Sequence, residues 1–259
     1  MTEATATRQS QMSQAEWEVR KDLAAAYRLV ALYGWEDLVF THLSARVPGP
    51  EHHFLINPYG WLFDEITASS LIKVDSEGEI VDPVATNRVN PAGFTIHSAV
   101  HMAREEAGAV LHLHAADGVA VSAHKEGLLP LSQTAMLCLD HISFHDYEGV
   151  ALNLDERERL VKDLGDKNMM LLRNHGTLLL GRWVAGAVKL ALNLERSCKA
   201  QVAALGMGLT PVVLSDEVAE HTARQYDKAY DSQEVAGKPD PEWDAFLRRL
   251  DVVAPDYRG

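Results

Sequence analysis

The chain has 259 residues, 47% hydrophobic and 24% charged, the composition of an ordinary globular protein with enough apolar material for one large core. Asp and Glu outnumber Lys and Arg by 37 to 24, giving a formal net charge of -13, which argues against the phosphate neutralisation that sequence-independent nucleic-acid binding needs. No run of about 18 apolar residues is present to cross a membrane, MTEATATRQSQMS lacks the apolar centre of a signal peptide, and two cysteines, Cys138 and Cys198, suit buried thiols in a reducing compartment. The expectation is a cytoplasmic protein that takes a small molecule, with no nucleic-acid or membrane partner.

In chain order, residues 1–12 are expected to be a disordered tail. Ser13-Gln14-Ala15-Glu16 then has the form of a capping box and opens a helix that Gly34 stops. From Leu43 to Asp82 the pattern shortens to LSARV, HFLIN, LIKVD and EIVD, broken by Asn57-Pro58-Tyr59-Gly60 and Ser76-Glu77-Gly78, which reads as a strand meander. Pro91 opens a helix running to Arg104, a strand covers 108–114, and 115–126 reads as helix. A strand near Ile142, a helix from Asp155, the strands MMLLRN and TLLLG, and a long helix from Val184 to Leu205 follow. Helices alternating with strands suggest a central sheet covered on both faces. Pro211 and Gly237-Lys238-Pro239 mark a looser C-terminal arm with helical pieces near 215–230 and 241–250.

The stretch LHLHAADG sets two histidines into an apolar strand. On a strand, residues i and i+2 share a face, so His112 and His114 project side by side, opposite Leu111 and Leu113. Two neutral imidazoles can supply half of a tetrahedral zinc shell at about 2.0–2.1 Å. His175, in Arg173-Asn174-His175-Gly176 where an apolar strand ends, is the candidate third ligand. His97 and His101 compete for that role, being four apart on one helix face, and His97 also suits an acid/base beside a metal. His42, His124, His141 and His145 are scattered and read singly as structural, while His52, His53 and His221 read as surface residues.

The ordered motifs NPAGFTIHSAVH (90–101), VLHLHAADG (110–118), KEGLLPLSQ (125–133), HDYEG (145–149) and LLRNHG (171–176) resemble the class II aldolase/adducin family, in its adducin-like branch. The resemblance covers about residues 15 to 210, and so implies a family domain over 13–210 followed by a helical arm over 211–259. It implies an α/β fold, a three-layer α/β/α sandwich with a central, mainly antiparallel sheet. It also implies a divalent metal on His112, His114 and His175, and a homotetramer with active sites at subunit interfaces. Zinc is the first expectation for the metal, with manganese, cobalt and iron as alternatives.

The departures from the family's sugar-phosphate aldolases shape the expected chemistry. Those enzymes carry Ser-Ser-Glu before the helix, the glutamate serving as acid/base and the serines holding phosphate; this chain has Pro91-Ala92-Gly93. A phosphorylated sugar substrate is therefore not expected. A metal-dependent carbon–carbon lyase of decarboxylase or aldolase type is, acting on a non-phosphorylated carboxylate or oxo/hydroxy compound, aromatic ones included, with His97, His145 or Tyr147 in the acid/base role. A non-haem Fe(II) oxygenase on the same histidines and a non-catalytic adducin-like scaffold are the alternatives. At Gly93, alanine is expected to be tolerated and glutamate harmful.

Overall fold

The structure, a computed structural model, describes residues 8–82, 88–149, 155–231 and 240–259, with the backbone alone at 91–92 and 227–231. Its first long helix, α1 (Gln14–Tyr33), begins where the Ser13 side chain accepts from the Glu16 N–H at 3.1 Å and ends at Gly34 in the left-handed region, φ 68°. Such a cap stabilises a helix by about 1 kcal/mol. Ahead of it, Arg8 pairs with Asp82 at 2.6 Å, so the described part of the expected tail, 8–12, is tied to the body of the molecule. Asp82 also receives buried Arg20, which Glu16 holds from the other side.

Seven strands form one sheet: β1 (His42–Arg46), β2 (Phe54–Ile56), β3 (Ile72–Val74), β4 (Ala109–Leu113), β5 (Ile142–His145), β6 (Met169–Leu172) and β7 (Gly176–Gly181). Their order is β3-β2-β1-β4-β7-β6-β5. Among the described strands β5 and β6 run parallel, and every other neighbouring pair is antiparallel. EIVD, expected as a fourth strand of the meander, contributes only an isolated bridge from Ile80 to Val74.

The remaining helices are α2 (Pro91–Ala103), α3 (Ala116–Ser122), α4 (Gln133–Leu139), α5 (Glu156–Leu164), α6 (Val184–Gly206), α7 (Asp216–Asp231) and α8 (Pro241–Val253). Strand alternation divides the core in two. Leu111, Leu113, Leu171 and Leu179 point toward α1, α4, α6 and α8, whereas Val110, Met170, Leu172, Leu178 and Leu180 meet Ile96 and Val100 of α2 and Leu160 and Leu164 of α5. This period-two exchange makes the fold an α/β/α sandwich.

Three segments differ from the sequence reading. The helix expected over 115–126 is only Ala116–Ser122. Helix α4 has no counterpart in that reading, although Ser132 caps it by accepting from the Ala135 N–H. The end of the expected arm is part of the main core: Trp243, Leu250 and Tyr257 are buried there, and the Trp243 indole N–H donates to Asp22 at 3.2 Å.

Candidate metal centre

His112 lies on β4 beside Val110, facing α2, with Leu111 and Leu113 on the opposite face. Its Nδ1 is 3.0 Å from the Thr177 carbonyl of β7, an acceptor only, so the Nδ1 proton is fixed there and the lone pair is left on Nε2. His114, just past the strand end, is held the same way: its Nδ1 donates to Asp37 Oδ2 at 2.9 Å. The two Nε2 atoms then face each other 3.0 Å apart. Two lone pairs at that distance call for a cation or a proton between them.

His175 arrives from the turn joining β6 to β7. Asn174 adopts the left-handed conformation, φ 57°, that asparagine tolerates better than most residues, and the His175 N–H closes the turn onto the Leu172 carbonyl. Gly176 lets the turn press against β4, because a Cβ there would sit 2.3 Å from the Leu113 carbonyl oxygen. The His175 ring consequently lies 4.8 Å, centroid to centroid, from each of His112 and His114. One ligand atom from each histidine falls within 4.8 Å of the others. Burial pushes His112 well below its usual 6.5 and, together with neighbouring His114, takes His175 down to about 4. His112 and His175 therefore offer lone pairs at neutral pH, imidazole nitrogens are the donors a zinc-type ion takes, and the carboxylate behind His114 is a recurrent support for metal-ligating imidazoles.

The other expected site residues are placed less uniformly. Tyr147 is exposed, its ring centroid 6.2 Å from that of His175, and the two share a small cleft with His145, Glu148 and Arg173. His145 is buried, Nδ1 donating to Asp163 at 2.7 Å with Glu156 3.6 Å from Nε2. His97 and His101 are absent from the three-histidine cluster; both are buried and bond to Ser44 Oγ, at 2.6 and 2.8 Å. His42, read from sequence as isolated, stands opposite His112 in the strand register, 5.5 Å from it between ring centroids and 4.4 Å from His97. Asp37, His42, Ser44 and Thr177 are thus the residues the sequence reading missed. A larger cavity of ≈ 670 Å³, lined by Arg46, Gly108 and Trp183, lies at the other end of β4 and contains no histidine.

Gly93 has a packing reason. A Cβ built there would lie 2.5–2.7 Å from three atoms of the His42 ring, so alanine cannot be accommodated without movement.

A family profile described as Class II Aldolase and Adducin N-terminal domain matches residues 21–202. The chain belongs to the class II aldolase and adducin family. It is 54% identical over 253 residues to a protein of Caulobacter vibrioides named as an aldolase class 2 protein, covering 98% of this chain and 96% of that one. It is 41% identical over 244 residues to alpha-adducin of Rattus norvegicus, covering 90% of this chain and 33% of the adducin. Among solved structures, an aldolase II superfamily protein from Pseudomonas syringae superposes with a TM-score of 0.89 at 48% identity, covering 97% of this chain and 99% of that chain. L-fuculose 1-phosphate aldolase from Glaciozyma antarctica gives 0.78 at 27% identity over 95% of this chain and 93% of its own. Family membership accounts for the three-layer fold and for motifs spread from α2 to β7.

Proposed function

We propose that this protein is a metal-dependent carbon–carbon lyase, of decarboxylase or aldolase type, acting on a small non-phosphorylated carboxylate or oxo/hydroxy compound. The observation that carries the reading is the pair of Nε2 atoms 3.0 Å apart, each turned inward because its Nδ1 is pinned from behind. His112, His114 and His175 would hold the ion, with zinc the first assignment for three neutral imidazoles and manganese, cobalt or iron the alternatives. When bound, a divalent ion stabilises negative charge developing on a substrate oxygen.

The chain's own residues supply the rest. Tyr147, whose ring stands 6.2 Å from that of His175, and His145, bonded to Asp163, are the candidates for exchanging a proton with the substrate. His97 takes the acid/base role on the α2 side. The fuculose-phosphate aldolase among the structural relatives is named for a phosphorylated sugar, but Pro91-Ala92-Gly93 offers no side-chain hydroxyl to a phosphate. No helix among the described residues is long and apolar enough to cross a membrane, in keeping with a cytoplasmic place. Exposed Met207, Leu209, Val212 and Val213 supply an apolar surface for the homotetramer proposed here, with active sites at its interfaces.

The test is zinc binding followed by turnover. Chain purified without chelator should take one zinc per protomer, and His112→Ala, His114→Ala and His175→Ala should each lose it while staying folded. Release of carbon dioxide or an aldehyde from a panel of oxo and hydroxy acids, with none from ketose phosphates, is the expected activity. Full zinc occupancy in all three variants would sink the assignment. The alpha-adducin similarity favours a second reading, a scaffold without chemistry, which predicts a wild-type chain that binds no metal. Iron with substrate-dependent oxygen uptake would indicate an oxygenase.

A further inference from the structure

His42 of β1 stands beside His112, His97 of α2 lies against His42, and His97 and His101 of α2 meet on Ser44 of β1. Their hydrogen bonds have a direction that can be deduced atom by atom. His101 Nδ1 lies 3.0 Å from the Ala107 carbonyl oxygen, which can only accept, so the proton is on Nδ1. Burial pushes His101 down to about 3 and keeps it neutral, so its Nε2 is bare and takes the Ser44 hydroxyl proton across 2.8 Å. That serine has no second proton to give. His97 Nδ1, 2.6 Å from the same oxygen, must therefore donate. Burial, and then the neighbouring His42, hold His97 neutral as well, which leaves its Nε2 a bare lone pair. Nε2 is buried and has no hydrogen-bond partner among the described residues.

Building on the lyase reading of the three-histidine centre, we propose that Ser44 is a positioning residue. With His101 and the Ala107 carbonyl it fixes His97 as a hydrogen-bond acceptor, so the α2 side of the site receives a ligand hydroxyl rather than a second carboxylate. If His42 intervenes, the polarity is preserved: giving its N–H to His97 leaves its other nitrogen bare. Whichever ring meets the ligand accepts. The substrate class narrows to hydroxy acids, whose carboxylate and hydroxyl make different demands on their surroundings.

The experiment uses the full chain labelled with ¹⁵N-histidine and free of metal, with two-bond proton–nitrogen correlation spectra and His97→Gln to identify the His97 signals. Wild type and Ser44→Thr should show a single His97 tautomer, protonated at Nδ1 and bare at Nε2. Ser44→Ala should lose that single tautomer. A wild-type His97 carrying its proton on Nε2 overturns the proposal without recourse to any variant. In zinc-loaded chain, glycolate should bind about tenfold more tightly than acetate, the worth of one well-placed hydrogen bond. Ser44→Ala should bring the two within about twofold of each other, the hydroxyl having lost its oriented acceptor. Equal binding of glycolate and acetate by wild type overturns the ligand assignment. Zinc affinity measured separately by chelator competition isolates the underlying reading: no zinc uptake defeats the lyase, while the nitrogen spectra still decide the role of Ser44.

Discussion

Asp37 lies outside the three-histidine cluster and yet determines how one of its rings faces. By accepting the His114 Nδ1 proton it turns Nε2 inward, and removing it frees the ring to change tautomer and to rotate. Asp37→Ala should weaken zinc binding by about 10- to 100-fold, the usual cost of losing such a partner. The metal-free fold should hardly change, since the Asp37 side chain is 46% exposed. Chelator competition measures the first and thermal unfolding the second; undiminished zinc affinity would refute the orienting role. The three clustered histidines were legible because His112 and His114 obey a period of two and His175 sits in Arg-Asn-His-Gly between two apolar runs. Asp37 was not, because it belongs to a loop 77 positions before His114 and no local pattern announces such a pairing.

At the scale of elements, the approach of α2 to β1 depends on Gly93. Alanine at 93 would require the His42 ring to shift, a packing cost that the sequence did not reveal. Overpacking of this kind costs about 1–3 kcal/mol. Gly93→Ala should lower the urea midpoint accordingly and disturb the environment of His42; an unchanged midpoint would mean that the ring moves at no cost. The strands and the long helices were visible in apolar periodicity, as was the covering of both sheet faces. Register was not visible. The pairing of His42 with His112 follows from β1 lying beside β4, a fact of sheet order, so His42 read as one more scattered histidine. Helix α4 escaped because seven residues after Leu129-Pro130-Leu131 are too few for a helical period to stand out.

For the whole molecule, the buried histidines set the acid limit of stability. Burial takes His42 to about 4 and His101 to about 3, against 6.5 for the unfolded chain, and holds His97 well below its ordinary value. As pH falls below 6.5 the unfolded state takes up protons that the native state refuses, so stability declines with acidification. Glu195 acts oppositely: burial raises it from 4.5 to about 8, and its contribution falls as pH climbs between those values. The histidines outnumber it, so the metal-free protein should show a lower urea midpoint at about pH 5 than at about pH 7. A midpoint that rose on acidification would contradict the histidine assignment. Assembly is tested on the other surface: Val212 is 83% exposed beside Leu209 and Val213. If the proposed homotetramer forms through this segment, wild type should scatter as a tetramer and Val212→Asp as smaller species, and an unaltered mass would clear this segment of any part in assembly.

The alternation along β4 also bears on how such a protein can change over generations. His112 stands on a face whose neighbours are Val110 and, across the register, Leu178, with Ile96 and Val100 in the same apolar layer. An aliphatic residue in place of that histidine would match Val110 and Leu178 in the layer, while removing one of the three clustered imidazoles. Shifting the strand by one position would instead carry Leu111 and Leu113 out of the opposite core. A single exchange on one face is therefore a smaller disturbance to this architecture than a slip of the strand that carries it.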